Sequence, residues 1–474
     1  MTARFQTSAP GRTVPRSRRR AGVALAALAL ACGLAAPVAH AQDGMSLIRD
    51  TEIEEILSKD AAPLMKAAGF DPQNVRVMLI GSKDLNAFAA PGQVGVFTGL
   101  ILESKTPNEL KGVLAHEVGH LAGGHSFRSG DMQRAGLVPM ILTMGLGALA
   151  AMAGSTDGAA VLLGNAGFFG TLGALGYSRE QESRADQAGA TLLEATGQSG
   201  KGLADFFDNF RYQEVFDQSR RFSYFRSHPL SSDRIDRLRS RVEALPHYSA
   251  VDTPDELAEH AIMKAKLDGF INPGQSLIKY KETDTSFPAR YARAIAYYQT
   301  KEPDRAIKLT DALIADQPNN PYLYELKGQI LFEFNRAKEA EPAQRRSVEL
   351  KPDAPLLRVN LGQTLINQGD KAKTLEGIDI LKQAVVKDTD NVDGWRLLAQ
   401  AYDSLGMDGD ARLATAEQYF ALGAKREART FAMRAREMLA KDSPGWRRAT
   451  DIVLVSQPTD QDLRDMARRG VTGD

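Results

Sequence analysis

His116-Glu117-Val118-Gly119-His120 sets two imidazoles four residues apart with a carboxylate between them. On a helix the two histidines share one face, one turn apart, so both can reach a single ion while Glu117 stands beside it to take a proton from water. The chemistry this predicts is metal-assisted hydrolysis, with zinc the ion that suits the donors. A hydrolytic zinc also needs a third protein ligand and an open fourth position. Two extensions of the motif could supply the ligand. Gly123 fits HExxHxxGxxH, but the next histidine, His125, falls one place early and would point away from the His120 face. Farther on, Glu182 and Asp186 lie one turn apart, so Glu182 could ligate the ion and Asp186 could accept a hydrogen bond from a ligand imidazole. Interleaved with Arg179 and Arg184, the same pair also reads as a solvated acidic face, and spacing alone favours that reading.

The elements that must position these groups are legible around them. Apolar residues from Thr51 to Ala68 recur at helical spacing, Val75–Ile80 reads as a strand, and Gly92–Thr98 reads as another. Within the latter, Gly95, Val96, Phe97 and Thr98 form a candidate edge on which an extended substrate could pair. Thr106 is an N-cap candidate, Pro107 suits the first helical position and Glu109 completes a capping box, so the HExxH residues fall on a capped helix ending near Gly123-Gly124. Residues 136–156 and 158–178 carry no charge, and each stretch is long enough to cross a bilayer. Their Gly and Ala content fits a buried or interfacial hairpin equally well. Ser178, with Gln181 three places later, caps a further helix that ends near Gly197.

After residue 250 the texture changes to amphipathic helices with regularly spaced turns. Pro318 and Pro352 lie 34 residues apart, and Trp395, Leu398, Ala399 and Tyr402 reproduce the W-x2-L-small-x2-Y signature of a tetratricopeptide helix. Helix pairs are expected near 288–318, 321–351, 354–388, 391–424 and 425–455, the third stretched around Thr374–Gly377. The expected organisation is a signal peptide over 1–41, a catalytic domain over 42–250 with its apolar hairpin at 136–178, a linker over 251–287, and repeats over 288–474.

The signal follows from the N-terminus: six arginines without an acid, an uncharged stretch from Ala21 to Ala39, and the small-x-small ending Ala39-His40-Ala41. Cleavage there turns a neutral chain of 59 basic and 59 acidic residues into one of 53 and 59, and removes Cys32, the single cysteine. A disulfide scaffold is thereby excluded, and nothing in the charge supports nucleic-acid binding. The mature chain suits an oxidising compartment outside the cytosol.

Taken together, Asn86-Ala87-Phe88-Ala89-Ala90-Pro91-Gly92, then Val96-Phe97-Thr98-Gly99-Leu100, the HExxH, Ser178-Arg179 through Ala185-Asp186, and His228-Pro229 with Arg234-Ile235 follow the order seen in peptidase family M48. The chain resembles that family, which includes HtpX-like and CAAX prenyl protease-like enzymes. The signal segment and the repeats narrow the likeness to its periplasmic, repeat-bearing branch. The resemblance implies an α+β, mainly helical fold, with a gluzincin-type zinc protease domain followed by a tetratricopeptide α-solenoid. It implies one Zn2+ on His116, His120 and Glu182, Glu117 as catalytic base, and Asp186 in support. His228 and Arg234 would lie near the metal, the histidine able to occupy its open position and the arginine assisting substrate or transition-state binding. Unfolded or stalled envelope proteins would be the substrates, and the outer-membrane β-barrel assembly machinery a partner reached through the repeats. The hairpin 136–178 could touch a membrane peripherally. That branch carries repeat-region cysteines absent from the mature chain here, so no redox-dependent arrangement carries over. The competing reading is a chaperone or assembly scaffold whose zinc site is idle or gated.

Overall fold

A computed structural model describes residues 46–124, 179–211, 228, 230–461 and 464. The signal segment, His125, the hairpin 136–178 and the Ser178 cap lie outside the described residues. The catalytic part contains β1 (Ser46–Ile48), α1 (Thr51–Ala67), β2 (Arg76–Gly81), β3 (Ala87–Ala90), β4 (Gln93–Phe97), α2 (Thr98–Glu103), α3 (Pro107–Ala122), α4 (Arg179–Ala195), α5 (Lys201–Asp208) and α6 (Ser232–Glu243). Asp50 caps α1 by accepting from the Ile53 amide at 2.9 Å, and the helix buries Ile53, Ile56, Leu57, Leu64 and Met65, the residues whose spacing predicted it.

The sheet order is β1-β2-β4-β3, with β2 parallel to β4 and the outer strands antiparallel. This corrects the expectation for Gly95–Thr98. Strand β4 is hydrogen-bonded on both sides, so Gly95, Val96 and Phe97 have no free backbone to offer a substrate. Gly95 is glycine because the Phe88 ring lies over it: a Cβ there would come within 2.2 Å of that ring. Thr98 begins α2, its hydroxyl donating to Ser82 O at 2.8 Å. Among the described residues β3 is the outermost strand on that side of the sheet; it packs beside α3, and its Ala87, Ala89 and Ala90 are buried.

The expected linker is also different in kind. Helices α7 (Pro254–Ile271) and α8 (Pro273–Lys279) fill most of it. Helix α7 sends Met263 and Leu267 into the catalytic core and packs along the first repeat helix. Its Lys266, buried, lies 2.8 Å from Asp50 and 3.0 Å from Glu52 at the start of α1, while Tyr291 of the first repeat donates to Glu52 at 3.0 Å. Catalytic part, connector and repeats thus share one buried network. His260 on the same helix lies 2.8 Å from Ser104 Oγ, and burial lowers its pKa to about 4, so it serves as a neutral structural imidazole.

Five helix pairs follow: α9 (Phe287–Gln299) with α10 (Pro303–Asp316), α11 (Pro321–Glu333) with α12 (Ala337–Leu350), α13 (Pro355–Ile366) with α14 (Lys371–Lys387), α15 (Val392–Ser404) with α16 (Asp408–Ala421), and α17 (Lys425–Met438) with α18 (Pro444–Val455). The third pair is the stretched one, since α14 has 17 residues against 14 for α10, α12 and α16. Gly328 and Gly362, one repeat apart, sit where the second helix of each pair crosses the first: a Cβ would come within 2.4 Å of Gln344 or 2.6 Å of Leu381.

Where α1 meets α3 and α7, burial holds the Asp60 carboxyl up at about 7 from its ordinary 3.8. Lys111 pulls the other way, and Glu259 and Glu256 add to the rise. An acid with a raised folded pKa binds more protons folded than unfolded, so stability falls as pH climbs from about 3.8 through about 7. Asp60→Asn is therefore expected to raise the thermal unfolding midpoint by several degrees at pH 8 and far less at pH 4. A midpoint that rises equally at both pH values would refute this account.

Candidate active site

Helix α3 starts where the sequence predicts. Thr106 Oγ1 accepts from the Glu109 amide at 3.2 Å and Pro107 takes the first position. The Glu109 carboxylate reaches one residue farther back than expected, accepting from Lys105 N at 2.7 Å, so the box is displaced by one place. The helix is buried along nearly its whole length, which brings both motif histidines inside.

Helix α4 crosses α3 at small residues. A Cβ on Gly119 would lie 2.8 Å from Ala185 O, and one on Gly189 would lie 3.1 Å from His116 N. This close approach sets Glu182 against the histidines. His116 Nε2 and His120 Nε2 are 3.1 Å apart, His116 Nε2 lies 3.5 Å from Glu182 Oε2, and His120 Nε2 lies 3.3 Å from Glu182 Oε1. Ligands at 2.0–2.1 Å from a tetrahedral zinc stand about 3.3 Å from one another. The three donors therefore have the spacing and the chemistry that zinc requires.

Residue His228, expected near the metal, joins the same group. Its Nδ1 is 3.0 Å from Glu182 Oε1 and 3.4 Å from His116 Nε2, which puts it at the fourth corner, and its Nε2 lies 3.6 Å from Glu117 Oε1. His116, His120, Glu182 and His228 are all buried, with ligand atoms within 4.8 Å of one another. Glu117 is buried beside them without belonging to the cluster.

Asp186, one turn beyond Glu182, stands 2.9 Å from His116 Nδ1. The carboxylate's charge beside Nδ1 favours a proton on that nitrogen and leaves Nε2 as the donor atom facing the cluster, although the 2.9 Å approach is not aligned as a hydrogen bond. Burial would depress His116, but Asp186 and Glu182 outweigh it and hold its pKa at about 9. Burial lowers His120 to about 3, and the neighbouring His116 and His228 add to the fall. Burial would raise Asp186, yet Arg234 holds it below the ordinary carboxylate range.

Arg234 sits on α6, whose cap is Ser231: its Oγ accepts from the Arg234 amide at 3.3 Å. The guanidinium pairs with Asp186 through Nε and, at 2.8 Å, Nη2, and reaches Glu182 Oε2 through Nη1 at 2.9 Å. Phe207 of α5, on which the sequence reading placed no role, lies under it at 5.1 Å and stands perpendicular to the His116 ring at 5.7 Å. Its signal was only an aromatic pair, Phe206-Phe207, in a short amphipathic helix. His247 stands apart, paired with Glu194 at 2.6 Å on the surface.

The comparisons agree with this geometry. Residues 48–242 match the model of Peptidase family M48. Metalloprotease YcaL of Escherichia coli (strain K12) is 34% identical over 193 residues, covering 39% of this chain and 69% of the relative. The beta-barrel assembly-enhancing protease of the same organism is 26% identical over 389 residues, covering 80% of this chain and 77% of the relative. Among solved structures, the tetratricopeptide protein YrrB covers 38% of this chain and 91% of its own at 20% identity, with a TM-score of 0.30. With its HExxH helix, distal glutamate and supporting aspartate gathered at one buried centre, the chain belongs to peptidase family M48 and is a metalloprotease.

Proposed function

We propose that the mature protein is a periplasmic zinc endopeptidase that degrades misfolded or stalled envelope proteins and assists outer-membrane protein assembly. The observation that carries this reading is the 3.1–3.5 Å spacing of the His116, His120 and Glu182 donor atoms, which fits one zinc. When bound, zinc supplies positive charge that acidifies a water and polarises a scissile carbonyl. Glu117 takes the proton as water attacks and hands it to the leaving amine. Asp186 keeps the His116 tautomer fixed. The 26% likeness to a beta-barrel assembly-enhancing protease supports the envelope substrates, the periplasmic location and a partnership with β-barrel assembly machinery. The repeats are the docking surface this reading assigns to clients or partner.

Purified mature protein is expected to hold about one zinc per chain and to cleave an unfolded envelope protein. A chelator should stop cleavage and added zinc should restore it. Failure of the zinc-loaded protein to cleave any unfolded outer-membrane protein would sink the reading.

One observation favours a gated or scaffold role: His228 stands at the fourth corner, where a substrate or water must enter. In the enzyme reading His228 restrains activity, so His228→Ala is expected to raise the cleavage rate severalfold at unchanged zinc content. A fall in rate would mean that the imidazole assists catalysis instead.

A further inference from the structure

The resemblance assigns Arg234 to substrate or transition-state binding, but its contacts point elsewhere. All three guanidinium nitrogens face carboxylates of the metal centre: Nε and Nη2 face Asp186, and Nη1 faces Glu182. The side chain is buried, and its face is covered by Phe207 at 5.1 Å. Each carboxylate it holds bears on a different part of the donor set. Glu182 Oε2 stands 2.9 Å from Nη1 and also faces His116 at 3.5 Å and His228 at 3.2 Å, while Oε1 faces His120 and His228. Asp186 Oδ1 receives Nη2 and also faces His116 Nδ1 at 2.9 Å.

We propose that Arg234 is a positioning residue that fixes the Glu182 ligand and the Asp186–His116 pair as one unit for the metal, and does not contact substrate. The proposal rests on the zinc-protease reading. Rotation of the Glu182 carboxylate changes which oxygen each imidazole meets, and the ion pair of Nη1 with Oε2 opposes that rotation. The bidentate Asp186 pair removes the corresponding freedom behind His116. Lysine can supply the charge but not the fork that spans both carboxylates, so the two residues are not interchangeable here.

The test uses the full mature chain with Co2+ and Zn2+ as probes. Arg234→Lys keeps the positive charge that two buried carboxylates require and so preserves the fold, checked by its thermal unfolding profile. In this variant metal affinity is expected to fall about 10- to 100-fold, the range for lost support of a metal ligand. The visible bands of the Co2+ form should shift, and at saturating metal kcat should drop while KM stays within about twofold of the parent. Arg234→Gln should show the same signature, more strongly. Parent-like metal affinity and Co2+ bands in Arg234→Lys, together with a raised KM, would overturn the proposal and return Arg234 to substrate binding. Should the parent itself bind neither ion, the zinc-protease reading fails first, and that outcome is distinct from any difference between variant and parent.

Discussion

Glu117→Gln should cut cleavage of an unfolded protein by about 10²- to 10⁴-fold, the usual contribution of a general base, while the protein keeps its zinc. The two effects separate because Glu117 is not in the donor cluster: His116, His120, Glu182 and His228 form it, and Glu117 stands beside it, 3.6 Å from His228 Nε2. Glutamine has the same shape, so packing in this buried position is unchanged, but an amide cannot take the proton of an attacking water. Metal content by elemental analysis and turnover by gel densitometry on one preparation decide the matter. Parent-like turnover removes Glu117 from the mechanism, and loss of zinc makes it a structural support. The inactive variant should also hold clients it cannot cut, so capture in cells with it would identify both substrates and docking partners.

Gly119→Val should be comparably damaging, although Gly119 bears no functional group. The helix crossing that joins HExxH to Glu182 leaves no room there: a Cβ would lie 2.8 Å from Ala185 O and 3.2 Å from Ala188 Cβ. Valine must therefore push α4 away from α3. Overpacking of this kind costs typically about 1–3 kcal/mol of stability. The larger consequence is geometric, because metal–ligand distances tolerate only about 0.2 Å, and Glu182 reaches the histidines across this crossing. Zinc affinity is expected to fall at least as far as for Arg234→Lys, and activity with it, whereas Gly119→Ala should lose less of both. A Gly119→Val protein with parent-like zinc affinity would show that the helix spacing does not set the site.

Much of this arrangement is legible in the chain. The Thr106 cap and Pro107 mark the start of α3, and HExxH places its ligands on one face of it. The 34-residue spacing and the Trp395 signature mark the repeats, down to the lengthened α14. What failed to transfer were neighbour relations. A run such as Gln93–Phe97 announces a strand but not its partners, and β4 proved to be interior because β2 pairs with it in parallel, across the intervening β3. Arg234 and Asp186 are 48 residues apart, and no local pattern announces their bidentate contact. The α7 helix was missed despite an available signal: Thr253-Pro254-Asp255-Glu256 repeats the cap of α3, and Thr253 with Glu256 forms a complete capping box.

That helix bears on how such proteins can be divided. The M48 motifs end with Arg234-Ile235, and a cut at residue 250 would seem to free a self-sufficient peptidase. Such a cut would strip Met263 and Leu267 from the catalytic core, remove the imidazole facing Ser104, and leave Asp50 and Glu52 without Lys266. The peptidase is therefore not a portable cassette to which any solenoid can be grafted. Its hydrophobic interior is completed by the beginning of its own docking arm, and an exchange of arms that preserved it would have to be spliced beyond the first repeat helix, after Tyr291.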